Sequence, residues 1–347
     1  MFALTFKCTS CGAYISFQPG EQNFACEYCG AKYDTDELIQ KLEEDSATET
    51  TSASFPNAEQ EMLYNCKNCG AEIIAQGTTA ATHCYYCQSP VVLTDKLSAE
   101  YKPDRVIPFQ FDKKQAQEHF LNFIKTKKFV PKEFFNQSQL EKLSGVYYPY
   151  WDCDYDVDAE FQGEATEVSS YISGNYRITT TNYYDVYRKG KIRFNNIFRS
   201  ALQKNQKELA DGIHPFEETD EKPYSPAYLA GFMAERRDID SNDIAPEVEN
   251  EIEQYIEPLL TQDSNYSSIS GNSQYNILNK SFNYLLLPTW VLTYLGPDGK
   301  RYYYSMNGQT GKTCGKLPID KTKLLISSLG TGTILAILAL LGGLFIW

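Results

Sequence analysis

The sequence predicts an α+β multidomain protein with two small four-cysteine zinc ribbons, a central mixed α/β domain with antiparallel strands, and one C-terminal transmembrane helix. Three observations carry that expectation. Two four-cysteine clusters share one spacing, the middle of the chain alternates aromatic strand patterns with amphipathic helix patterns, and the last 24 residues, Leu324 to Trp347, carry no charge.

The clusters are Cys8-x2-Cys11-x14-Cys26-x2-Cys29 and Cys66-x2-Cys69-x14-Cys84-x2-Cys87, eight of the ten cysteines. Tetrahedral zinc takes four thiolates at about 2.3 Å; a C-x2-C pair on a tight turn aims two sulfurs at one centre, and a distant second pair closes the shell. Gly12, Gly30 and Gly70 follow three of the pairs and suit the positive φ of such a turn, whereas Gln88 with Ser89-Pro90 stands at the fourth. The spacing therefore predicts one Zn2+ on Cys8, Cys11, Cys26 and Cys29 and a second on Cys66, Cys69, Cys84 and Cys87. Disulfides are the competing use, but C-x2-C pairs mark metal sites. A redox C-x-x-C needs a strand-to-helix setting that none of these pairs has. His83, beside Cys84, is read as a neighbour of the site and not as a ligand. Modules this short need the metal to fold, and four thiolates leave no open position on it, so both ions are expected to be structural.

The net charge is −13 with a pI near 4.8. Over residues 1–95 four lysines stand against thirteen acids, a net charge of −9, and each zinc-tetrathiolate centre adds negative charge. Such a surface repels phosphates, whose neutralisation by Lys and Arg dominates nucleic-acid affinity, so a protein partner is expected in place of DNA or RNA. The start, MFALTFKCTS, lacks the basic and apolar regions of a signal peptide. On that reading, and with reduced thiolates, the N-terminal bulk is expected in the cytoplasm.

In chain order, residues 1–45 read as the first ribbon with a short helix over Asp34 to Asp45, striped by Leu38, Ile39 and Leu42. Residues 46–58 are a polar linker, 59–95 the second ribbon and 96–317 the central α+β domain. Ile107-Pro108-Phe109 starts a strand. Asp112 caps a helix with Ala116, Phe120, Phe123 and Ile124 on one face, and Lys125, Lys127 and Lys128 complement the dipole at its C-terminal end. Val146 to Asp158 alternates as a strand, with Trp151, Cys153, Tyr155 and Val157 facing one way and Asp152, Asp154, Asp156 and Asp158 the other. The P-x-W-x-x-x-Y part of that run recurs without the acids at Pro288 to Tyr294, so it is a packing pattern and the acidic face is read as solvated. Ser225-Pro226 opens a helix running towards Arg237, and a second helix covers Pro246 to Leu260 with Val248, Ile252, Ile256 and Leu259 in register. Strands Tyr284–Leu295 and Lys300–Met306 flank a turn at Gly296 to Gly299.

Met306 to Thr313 imitates the phosphate-binding G-x4-G-K-T, but lacks its first glycine and the helix that must follow the lysine. Asn307-Gly308 signals a β-turn instead. His83, His119 and His214 are tied to no Ser or Cys, so neither an enzyme nor a small-molecule substrate is expected. Residues 318–323 form a basic juxtamembrane segment, and 324–347 make roughly 36 Å of helix against a hydrocarbon core of about 30 Å. Lys316, Lys321 and Lys323 hold the preceding chain in the cytoplasm and Trp347 marks the far interface, a single pass through the cell membrane.

The ribbon pair followed by IPFQFDKKQAQEHF, GVYYPYWDCDYDVDAEFQGE, PYSPAYLAGFMAERRDID, LLLPTWVLTYLGPDGKRYYYSMNGQTGKTCGKLP and a terminal span resembles the bacterial TFIIB-type zinc-ribbon membrane proteins. Members of that family are often labelled primosomal or helicase-like because of the ribbons. The resemblance covers nearly the whole chain, and SPAYLAGF and NGQTGK are its most specific pieces. It implies a membrane-anchored partner of cytosolic envelope-stress scaffolds of the band-7 or phage-shock-protein-A kind. The function expected is therefore a non-enzymatic adaptor whose ribbons recruit a protein to the membrane. The alternative is a nucleic-acid-binding, transcription- or replication-associated ribbon protein.

Overall fold

A computed structural model describes residues 6–39, 62–66, 72–75, 77–84, 89–97, 101–131, 140–203, 211–262, 265–296 and 299–345. The chain divides into two compact units. One comprises Met1–Tyr148, Lys204–Arg236 and Leu286–Trp347; the other comprises Pro149–Gln203 and Arg237–Leu285. Residues 96–317, expected as one central domain, are shared between them.

The first unit begins with hairpins. Strands β1 (Ile15–Gln18), β2 (Asn23–Cys26) and β3 (Lys32–Tyr33) form an antiparallel sheet, β4 (Met62–Asn65) pairs with β5 (Glu72–Ala75), and β6 (Thr79–His83) pairs with β7 (Pro90–Val92). Residues 35–39 of the expected first helix are helical. The rest of that helix, the linker 46–58, Cys69, Cys87 and Trp347 lie outside the described residues. Phe17 anchors the first sheet, meeting Phe24 and Tyr228 edge-on at 5.3 and 5.5 Å between ring centroids.

The strand expected around Ile107 is only β8 (Arg105–Val106). Pro108 has no N–H to continue a ladder, and Phe109 turns into the core, where it stacks on Phe232 at 4.2 Å. Helix α1 (Lys113–Lys125) starts where expected. Asp112 accepts a hydrogen bond from the Gln115 N–H at 2.8 Å, and Gln115 Oε1 accepts one from the Asp112 N–H at 2.9 Å, a capping box. Its buried stripe is Ala116, Phe120 and Ile124, with Phe120 edge-on to Tyr304 at 4.7 Å.

Two long strands follow, β9 (Ser144–Ser173) and β10 (Tyr176–Ser200), then the short β11 (Lys222–Pro223). The helix expected from Ser225 is a single 3-10 turn, Pro226–Leu229, capped by Ser225 Oγ. Gly231 at φ 95° ends it, and the chain extends into β12 (Met233–Glu235), parallel to Val146–Tyr147 of β9. Helix α2 (Ser241–Thr261) starts five residues before Pro246, because Ile244 and Ala245 lengthen the buried stripe of Val248, Ile252 and Ile256.

Strand β13 (Ser268–Leu295) and β14 (Arg301–Asn307) pair as expected from Thr289↔Asn307 to Leu295↔Arg301, and β15 (Thr313–Lys316) joins β14. Helix α3 (Lys321–Phe345) absorbs the second half of the expected juxtamembrane segment, 321–323. Asp320 caps it, its carboxylate accepting from the N–H of Thr322 at 3.0 Å and of Lys323 at 3.1 Å.

In the second unit β9 and β10 run antiparallel from Tyr150↔Ser200 to Ser173↔Tyr176, with an irregularity between Phe194 and Ile197. Phe161, Ala165 and Val186 form a buried cluster against Leu260, Tyr266 and Ile269. Two acids of that face are ion-paired, Arg193 meeting Asp156 at 2.6 Å and Lys189 lying 3.5 Å from Asp158, and Asp154 accepts from the Asn196 N–H at 3.1 Å. Asp152 corrects the expectation of a wholly solvated face, since it is buried.

Candidate metal centre

The cysteine pairs fall between antiparallel paired segments of chain, and one register recurs. The residue before the first cysteine faces the residue seven positions on: Lys7↔Tyr14, Ala25↔Lys32, Asn65↔Glu72 and His83↔Pro90. Hydrogen bonds close the first two loops alike. The Cys8 N–H donates to Ala13 O at 2.6 Å and the Cys26 N–H to Ala31 O at 2.9 Å, while the Gly12 and Gly30 N–H groups return to Cys8 O and Cys26 O, both at 2.9 Å. Gly12 and Gly30 take φ of 76° and 71°, which a side chain would strain. At the glycine-free fourth loop the Cys84 N–H still donates to Ser89 O at 2.9 Å.

The first two loops bring their cysteines together. One ligand atom from each of Cys8, Cys11, Cys26 and Cys29 lies within 4.8 Å of all the others. Cys8 Sγ is 3.5 Å from Cys29 Sγ, and Cys11 Sγ is 3.5 Å from Cys26 Sγ. A disulfide needs about 2.05 Å; sulfurs at the corners of a zinc tetrahedron are about 3.8 Å apart for bonds of about 2.3 Å. The donors therefore fit a divalent metal cage. Cys8 and Cys26 are buried, Cys11 and Cys29 exposed.

Electrostatics within the cage alternate. The Tyr33 hydroxyl, at 3.1 Å, leads the groups that draw the Cys8 thiol down to about 6. Cys26 is also lowered, chiefly by the Cys29 backbone N–H. For Cys11 the Ala13 backbone pulls down, but partial desolvation and the three neighbouring thiols together push it up to about 12. Four sulfurs resist sharing negative charge, and a bound cation removes that resistance. Sequence reasoning missed Tyr33. Its oxygen accepts the Thr9 N–H at 3.0 Å, which leaves its own proton for the sulfur.

Of the second cysteine set, Cys66 and Cys84 fall in one buried cluster with Tyr64, Ala75, Val91 and Leu93. Cys66 Sγ lies 3.5 Å from the Ser89 hydroxyl of the fourth loop. His83 is a strand residue at the base of that loop, with its pKa lowered by burial and then by the charge on Lys113.

The P-loop-like segment is a structural latch. Asn307 is fully buried; its Nδ2 donates to Ile213 O at 3.0 Å and Pro215 O at 2.9 Å, and its Oδ1 accepts from the N–H of Gln309 and Thr310. Gln309 in turn grips both backbone polar groups of Glu217. His119 packs edge-on against Phe111 and His214 against Phe216.

Helix α3 is long and apolar enough to cross a membrane, and no part of its candidate span, Lys321–Ala339, is buried inside the protein.

The chain is 30% identical over 343 residues to the uncharacterized protein YdjG of Bacillus subtilis (strain 168), with 96% of each chain covered. The two belong to one family. What the match leaves uncovered is shorter than either cysteine module or α3, so relatedness to YdjG extends to every module of the chain. No family model matches the chain, and no solved structure does.

Proposed function

We propose that this protein is a non-enzymatic, membrane-anchored adaptor whose two cytosolic zinc ribbons recruit a protein partner to the bilayer. The observation that carries the reading is the coexistence, in one chain, of a closed four-cysteine cage and an exposed apolar helix of membrane length. Zinc bound by Cys8, Cys11, Cys26 and Cys29 has no coordination position left for a substrate, so its contribution is folding energy. A second zinc sits on Cys66, Cys69, Cys84 and Cys87. Its support is the shared knuckle register, the i to i+5 bond at Cys84 and the burial of Cys66 with Cys84.

The anchor works by effective concentration: a tethered module binds as if at millimolar concentration, so a modest affinity suffices. Leu325, Ile326, Leu329, Ile334, Leu335, Ile337 and Leu338 are all exposed along α3. Apolar side chains on successive turns call for lipid cover. The lysines before the span keep the ribbons on the cytoplasmic side. Tyr28, between the second pair of ligands, is 84% exposed, a large aromatic of the kind that anchors protein interfaces. The partner class follows from the resemblance to TFIIB-type zinc-ribbon membrane proteins: a band-7 or phage-shock-protein-A-like scaffold.

Cross-linking in intact membranes, followed by solubilisation and capture of the full-length chain, tests this reading. A scaffold of that class should be captured with wild type and lost with Tyr28→Ala and Cys26→Ser. Equal capture by all three, or capture of nucleic acid in its place, contradicts the adaptor reading.

A further inference from the structure

Two cations are buried together beside the second cysteine module. Lys96 and Arg236 are each only 3% exposed. Both donate to one carbonyl oxygen, that of Gly77, from Lys96 Nζ at 2.8 Å and Arg236 Nε at 3.2 Å. The Arg236 guanidinium lies over the Tyr101 ring at 4.3 Å, and its backbone N–H donates to Thr78 O at 2.7 Å.

This cluster is electrically incomplete. A carbonyl oxygen and an aromatic face offer partial charges against two full ones, and among the described residues no carboxylate pairs with either cation. Arg236 Nη1 is buried without a hydrogen-bond partner, and Lys96 has three donors to satisfy. Arginine stays charged at every accessible pH. Burial, then the charge on Arg236, draws Lys96 down to about 8, which leaves it mainly protonated near neutrality. Two like charges withdrawn from water need a counter-charge and acceptors for their remaining N–H groups.

We propose that Lys96 and Arg236, with Tyr101 as the aromatic wall, form an internal receptor for a small oxyanion, a phosphate or a carboxylate. Such a group supplies both missing items at once: negative charge and closely spaced acceptor oxygens, to which guanidinium binds in charge-assisted, two-pronged fashion. Bound there, it ties the segment after β7, which carries Lys96, to the end of β12, which carries Arg236.

The test uses the full-length protein in detergent, with thermal unfolding followed at matched ionic strength in chloride, inorganic phosphate and acetate. Phosphate, acetate or both should raise the midpoint saturably by a few degrees over chloride, and the active anion identifies the oxyanion class. Stabilisation by ligand linkage of about 2.7 kcal/mol at a hundredfold excess over Kd makes such a shift measurable. The rise should vanish in Arg236→Met and in Lys96→Met, and the second variant carries the test if the first does not fold. A wild type that responds alike to all three salts, or variants that keep the full anion-specific rise, overturns the proposal.

Discussion

At the residue scale, a few side chains hold much of the structure. Tyr33 sends its hydroxyl to the Cys8 sulfur while fixed by the Thr9 backbone, the kind of contact that orients a metal ligand. Tyr33→Phe should weaken zinc retention about tenfold, read by competition with a chelator. Asn307 spends its side-chain polar groups on four backbone partners, so Asn307→Ala orphans several donors and acceptors at once. The loss should be on the order of 3 kcal/mol, seen as a lower denaturation midpoint with the zinc content unchanged. The cysteine spacing was legible because metal coordination fixes it in sequence. Tyr33 was not, because a hydroxyl that comes from another strand leaves no spacing signature.

At the scale of elements, local chemistry was readable where one turn decides the outcome and unreadable where distant packing does. Asp112 as N-cap placed the start of α1 correctly, and β13 and β14 pair across the expected turn. Ser225-Pro226 is also a good helix start, yet Gly231 and the burial of Tyr228 and Leu229 confine it to one turn. The length of β9 and β10 was missed. The Gly174-Asn175 turn was a hairpin signal, but the flanking Ser, Thr and Asn residues hid the alternation. Gly163 and Gly271 let β9 and β13 approach closely: a Cβ on Gly163 would lie 2.2 Å from Ser270 O. Gly163→Val should therefore separate β9 from β13 and lower the thermal midpoint by several degrees. For α3 the prediction concerns cover. Removing residues 321–347 should move the protein from the membrane fraction to the soluble fraction, and retention through a salt wash would mean that α3 is not the anchor.

At the scale of the whole molecule, the central claim is that four hairpin knuckles of one register build two zinc modules carried on a membrane tether. Inferring a second metal from that register turns on repetition: the first pair of knuckles converges to within 4.8 Å, and the second pair begins from the same pairing and buries the same first cysteines. The proposed preference of these modules for a protein over nucleic acid rests on the net charge of −9 over residues 1–95, which repels phosphates. The most direct measurement is the zinc-to-protein ratio of the purified full-length chain, compared with Cys26→Ser and Cys84→Ser. Two zinc ions per chain are predicted for the wild type and one for each variant. A wild type with a single zinc that survives Cys84→Ser would contradict the claim.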